Sequence, residues 1–104
     1  MIFKETSIFT KEIVRLLPDA DYKMLQTALM LRPDAGALIR GGGGLRKIRW
    51  NLPGRGKRGA LRVIYHWDRH DVVFMLLPYE KNVRENLTAG QLKLLRGVVK
   101  EWLS

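Results

Sequence analysis

The chain has 104 residues, 46% of them hydrophobic, no cysteine, and 19 Lys plus Arg against 10 Asp plus Glu for a net charge of +9. That length matches one domain spanning 1–104, and the hydrophobic content is too high for a disordered polycation. Disulfides and thiolate metal sites are excluded, His66 and His70 lack zinc-ligand spacing, the start has no signal-peptide pattern, and the longest apolar run, Val72 to Leu77, is too short for a bilayer, so a cytoplasmic protein without metal, cofactor or membrane insertion is expected.

Ile2 and Phe3, then Ile8 and Phe9, flank polar residues, which predicts an opening strand that gives way to a helix near Ser7 or Thr10. Pro18 cannot continue a helix, so this one ends at about Leu17, and Asp19 is the expected N-cap of the next. Tyr22, Leu25 and Leu29 then recur at helical spacing, with Met24, Ala28 and Leu31 widening the stripe, until Arg32-Pro33 stops it. The two helices are expected to form a hairpin. Gly41 to Gly44 reads as a flexible connection, with a phosphate cradle as the alternative.

From Leu45 the hydrophobic period changes from about 3.6 to 2, which predicts three strands. The first, Leu45 to Leu52, places Ile48, Trp50 and Leu52 on one face and Lys47, Arg49 and Asn51 on the other, with Arg46 alone among the cations on the apolar side. After the basic glycine-rich turn Pro53 to Gly59, the second strand groups Leu61, Val63, Tyr65 and Trp67, leaving Arg62, Ile64 and His66 facing away. A turn over Asp68 to Asp71 leads to the third strand, Val72 to about Tyr79, apolar throughout and therefore expected to be central. Thr88 to Gln91 fits a capping box, followed by Leu92, Leu95, Val98, Val99 and Leu103 on one helix face, which should dock on the sheet. Trp102 either joins that face or lies exposed at a partner interface. The expected class is α+β, a small antiparallel sheet in the order β-α-α-β-β-β-α with a helical hairpin and a C-terminal helix.

Between Asp34 and Asp68 there is no acidic residue, yet Arg40, Arg46, Lys47, Arg49, Arg55, Lys57, Arg58 and Arg62 all lie there, so the central third carries nearly the whole net charge. A one-sign block concentrates a field that attracts polyanions, and nucleic acid is the leading partner. Alternation gathers Lys47, Arg49 and Arg62 on one face, which suits phosphate binding and the extra charge of a phosphoryl-transfer transition state; a solvated sheet face is the plainer alternative. His66, assigned to the same face, is a candidate acid or base, or else structural. Tyr79 at a strand end suits packing or base stacking. Gly54 to Gly59 is not a nucleotide-binding P-loop.

Three blocks, Gly43-Gly44-Leu45-Arg46-Lys47-Ile48-Arg49, Gly56-Lys57-Arg58-Gly59-Ala60-Leu61-Arg62-Val63-Ile64-Tyr65 and Tyr79-Glu80-Lys81-Asn82, resemble the RelE/ParE toxin superfamily, nearest its HigB-like branch. The resemblance implies a single RelE-like domain acting as the toxin of a type II toxin-antitoxin pair, an mRNA interferase that cuts mRNA in the ribosomal A site without metal. It also implies a cognate antitoxin, often one with a DNA-binding domain. By position, Lys47 and Arg49 match the family's basic strand, Arg62 its transition-state arginine, and Lys81 the basic position after the next strand. The RelE pattern has an arginine where this chain has Asn82, and a tyrosine at the start of the last helix that is missing here, so the acid and base fall among Lys47, Lys57, Lys81 and His66. Arg46, Arg55, Arg58, His66, Asn82 and Arg84 complete the implied RNA-binding set. ParE-like relatives inhibit DNA gyrase instead; that, or plain RNA binding without catalysis, is the alternative.

Overall fold

The first helix begins at Ser7, the earlier of the two starts its pattern allows, and Thr6, whose backbone is extended, stands just ahead of it. In the computed structural model, which describes residues 1–51, 60–81 and 86–104, Thr6 Oγ1 accepts a hydrogen bond from the Phe9 amide at 3.0 Å and caps helix α1 (Ser7–Leu16). Strand β1 (Ile2–Glu5) precedes it. The expected capping role of Asp19 is not realised. Pro18 holds the N-cap position of α2 (Asp19–Leu31), and Asp19 and Asp21 lie inside its first turn, where carboxylates favour the positive end of the helix. The Phe9 and Tyr22 rings, 5.8 Å apart, join the two helices as the hairpin anticipated.

The chain continues through β2 (Ala37–Leu38), β3 (Arg46–Trp50), β4 (Leu61–Asp68), β5 (Val72–Glu80) and α3 (Ala89–Leu103). No pattern announces strand β2, because two residues are too few to show an alternation. The five strands lie in the order β1-β5-β4-β3-β2. The sheet is mixed rather than wholly antiparallel: β1 runs parallel to β5, with Ile2 opposite Val72, while the other neighbours pair antiparallel. A strand that joins beside the last strand instead of the next is free of hairpin geometry.

Each sheet face is covered. Phe9 and Ile13 of α1 and Leu25 and Leu29 of α2 pack on Leu61, Val63, Tyr65, Val73 and Met75. On the opposite face, Leu92, Leu95, Val99 and Trp102 of α3 pack on Leu45, Ile64, Phe74 and Leu76. Trp102 thus belongs to the core, its ring 5.1 Å from Phe74 and capped by Lys4 Nζ at 4.9 Å, whereas Leu103 is half exposed.

Strand β5 carries one irregularity. Between Ile64 and Tyr65 the β4–β5 register steps from Leu77 to Met75, leaving Leu76 as an extra residue. An inserted residue reverses the face taken by every side chain beyond it. Leu76 and Leu77 both turn toward α3, and Tyr79 comes to lie beside its register partner Arg62. The Leu76 carbonyl accepts from Thr6 Oγ1 at 2.8 Å.

Candidate functional site

Strand register brings the basic residues together. Arg49 is the Cα partner of Arg62, Arg62 is the partner of Tyr79, and Lys47 faces Ile64. Arg49, Arg62 and Tyr79 therefore form a row across three strands on one face, with Lys47 about 7 Å further along β3.

That face is the one α3 covers, and this corrects the expectation of an open cationic surface. Arg62 retains only 1% of its exposure, because β4 is interior to the sheet. Arg49 is exposed and Lys47 half-buried, both on the more peripheral β3. Alternation assigns a side chain to a face but says nothing of how deep that strand lies. Arg49 and Arg62 stand directly opposite on neighbouring strands, one exposed and one buried, which concentrates positive charge at this part of the face. Burial removes water that would screen the Arg62 charge. The combination favours an anion with several oxygens, and favours it more as negative charge accumulates on it.

Beside Lys47 opens a groove of about 410 Å³, lined by Ala37 to Arg40, Ile64, Tyr79, Asn86, Leu87 and Leu92. Lys47 Nζ donates to Asn86 Oδ1 at 3.0 Å, linking β3 to the entrance of α3. The entrance is fixed by the expected capping box: Thr88 Oγ1 accepts from the Gln91 amide at 3.1 Å, and Gln91 Oε1 from the Thr88 amide at 2.9 Å. Sequence reasoning missed Asn86, whose only trace is a polar residue just ahead of a capped helix.

Other predicted residues fall elsewhere. Arg46 lies on the opposite face as the partner of Tyr65, where its Nη1 donates to the Gly36 carbonyl at 2.8 Å and the Asp34 carbonyl at 3.3 Å. The buried Tyr65 hydroxyl donates to the Pro33 carbonyl and accepts from the Gly36 amide, each at 2.8 Å. Burial pushes the Tyr65 phenol up, partly offset by the Gly36 amide and the Arg46 charge. Arg46 and Tyr65 thus hold the 33–36 segment and are not gathered with Lys47. His66 lies four residues along β4 from Arg62, about 13 Å. Its ring stacks on Phe74 at 6.0 Å, and its Nδ1 is 3.3 Å from the Gly44 carbonyl.

The glycine run expected to be a flexible connection is a hydrogen-bonded turn. The Ile39 amide donates to the Leu45 carbonyl and the Gly42 amide to the Ile39 carbonyl, both at 2.9 Å, and Gly41, Gly43 and Gly44 adopt positive φ, which glycine alone takes without strain. Lys81 is exposed just past β5, its amide 3.4 Å from the Ala60 carbonyl. Arg55, Lys57, Arg58, Asn82 and Arg84 lie outside the described residues, as do Leu52 and the expected turn Pro53 to Gly59.

Among the described residues no three of His, Cys, Asp and Glu gather in a way that would hold a metal ion, and no helix is long and apolar enough to cross a membrane. Residues 2–104 match the family model described as the RelE toxin of the RelE / RelB toxin-antitoxin system.

Proposed function

Since the chain belongs to the RelE toxin family, and is thus a toxin whose counterpart is an antitoxin, we propose that it is an endoribonuclease that cuts mRNA in the ribosomal A site and so stops translation. The observation that carries this reading is the row Arg49, Arg62 and Tyr79 with Lys47 alongside.

In this mechanism the substrate supplies its own nucleophile. The ribose 2'-oxygen bonds to the adjacent phosphorus, the bond from phosphorus to the 5'-oxygen breaks, and the products are a cyclic phosphate and a 5'-hydroxyl. A proton must leave the 2'-oxygen and another must reach the departing 5'-oxygen. Arg49, exposed, grips the scissile phosphate through its planar fork. Lys47, half-buried at the groove, carries a second positive charge and has a proton to move. Lys81 and Lys57 are further proton carriers. Arg62 acts from the buried middle of the row: a unit positive charge roughly 7 Å from the phosphate contributes about 2 kcal/mol at an effective dielectric near 20. Such charges accelerate the reaction because the transition state is more negative than the substrate.

The antitoxin, with a DNA-binding domain of its own, silences the toxin in the cytoplasm until it is removed. Mapping mRNA 5' ends after brief induction tests the reading, with new ends in register with codons expected. Intact transcripts with altered DNA supercoiling would instead assign the chain to a gyrase-directed toxin.

A further inference from the structure

We propose that the groove beside Lys47 receives one base of the substrate, and that Asn86 selects guanine there by donating from its amide; this deepens the ribonuclease reading and rests on it. The groove's volume of about 410 Å³ lies in the range that encloses small planar ligands. Tyr79, Ile64, Leu87 and Leu92 give it apolar walls against which a base can pack whatever its identity. Lys47 and Arg40 put cations on its rim, where the flanking phosphates would lie.

Selection follows from one hydrogen bond. A lysine ammonium has three donors and no acceptor, so the Asn86 atom 3.0 Å from Lys47 Nζ is the oxygen. The oxygen is engaged, and the amide nitrogen with its two hydrogens is what Asn86 offers a ligand. Guanine presents O6 and N7 as adjacent acceptors with no donor between them. Adenine sets its N6 amino group beside N7 and would oppose donor with donor. The orientation of Asn86 is thus imposed by a residue of the cleavage site, which ties base choice to the position of the cut.

The 5'-end map of the induced wild-type toxin, compared with Asn86→Ala and Asn86→Asp, tests this. Wild type should favour guanine at one fixed position relative to the cut. Asn86→Ala should weaken that preference on the order of tenfold. Asn86→Asp keeps an oxygen for Lys47 but offers only acceptors, so the same position should shift toward adenine or cytosine, which carry amino donors. Asn86 is exposed, so both variants should fold; where the aspartate variant does not accumulate, the alanine variant alone decides. Identical base distributions in wild type and variants, with cleavage intact, would overturn the assignment and leave the ribonuclease reading standing. So would a wild-type preference for adenine at that position. Absence of any cleavage by wild type would remove both.

Discussion

Thr6 and Leu76 are 70 positions apart and are joined by one hydrogen bond of 2.8 Å, from the Thr6 hydroxyl to the Leu76 carbonyl. The same hydroxyl caps α1 by accepting from the Phe9 amide. The carbonyl belongs to the extra residue that turns Tyr79 toward Arg62. Thr6→Val keeps the shape and removes both bonds, leaving the helix uncapped and the Leu76 carbonyl without this donor. The expected loss is about 2–3 kcal/mol, seen as a fall in Tm of roughly 10 °C or more. Thr6→Ser retains the hydroxyl and should melt close to wild type.

Replacement of Arg62 separates charge from packing. Arg62→Met fills much of the same buried space without a charge, and cleavage is expected to fall on the order of 30-fold, the rate equivalent of about 2 kcal/mol. Ribosome association should change less than tenfold, because the lost interaction acts mainly on the transition state. Equal loss of cleavage and association would show that Arg62 serves binding alone. A melting curve of the variant checks that the fold persists.

Arg46 and Arg49, both in β3, should differ in their salt response. Arg49 is exposed on the row and is assigned to a phosphate, so Arg49→Ala should reduce the salt slope of binding to single-stranded RNA by about 0.7. Arg46 is committed to the carbonyls of Gly36 and Asp34 on the other face, so Arg46→Ala should leave that slope unchanged and lower thermal stability instead. Titrations of RNA binding at several salt concentrations distinguish the two.

Alkaline pH should weaken the fold through two tyrosines. Tyr22 and Tyr65 are both raised above the ordinary phenol value of 10.0, each chiefly by burial. Tyr22 is raised further by its 2.6 Å bond to Glu5. Above that ordinary value the unfolded chain releases protons that the folded chain retains, so the stability contribution is complete below about 10 and is lost as pH rises toward the folded values. Urea unfolding at pH 8 and pH 11 should show the loss. Tyr22→Phe with Tyr65→Phe should flatten the dependence while lowering stability throughout, since Pro33 and Gly36 lose a partner.

Strongly periodic segments are legible in the sequence. The capping box at Thr88, the end of α2 before Pro33, and the separation of Ile48 and Trp50 from Lys47 and Arg49 all follow from spacing, because helix and strand periods are local properties. The matching face of Arg62 is legible for the same reason. Its depth is not, because burial depends on the order of strands and on where α3 docks, neither of which is written in alternation. The Leu76 insertion is hidden inside an unbroken apolar run, where no change of pattern marks a change of face. The parallel pairing of β1 escapes for a related reason, since its partner lies at the far end of the chain.

That pairing also sets a timetable. β1 is synthesised before the β5 strand it pairs with, Ile2 opposite Val72, so the helices made in between wait for the sheet they cover. The row across Arg49, Arg62 and Tyr79 is likewise assembled only once β5 is complete, so it arises at one moment rather than by degrees.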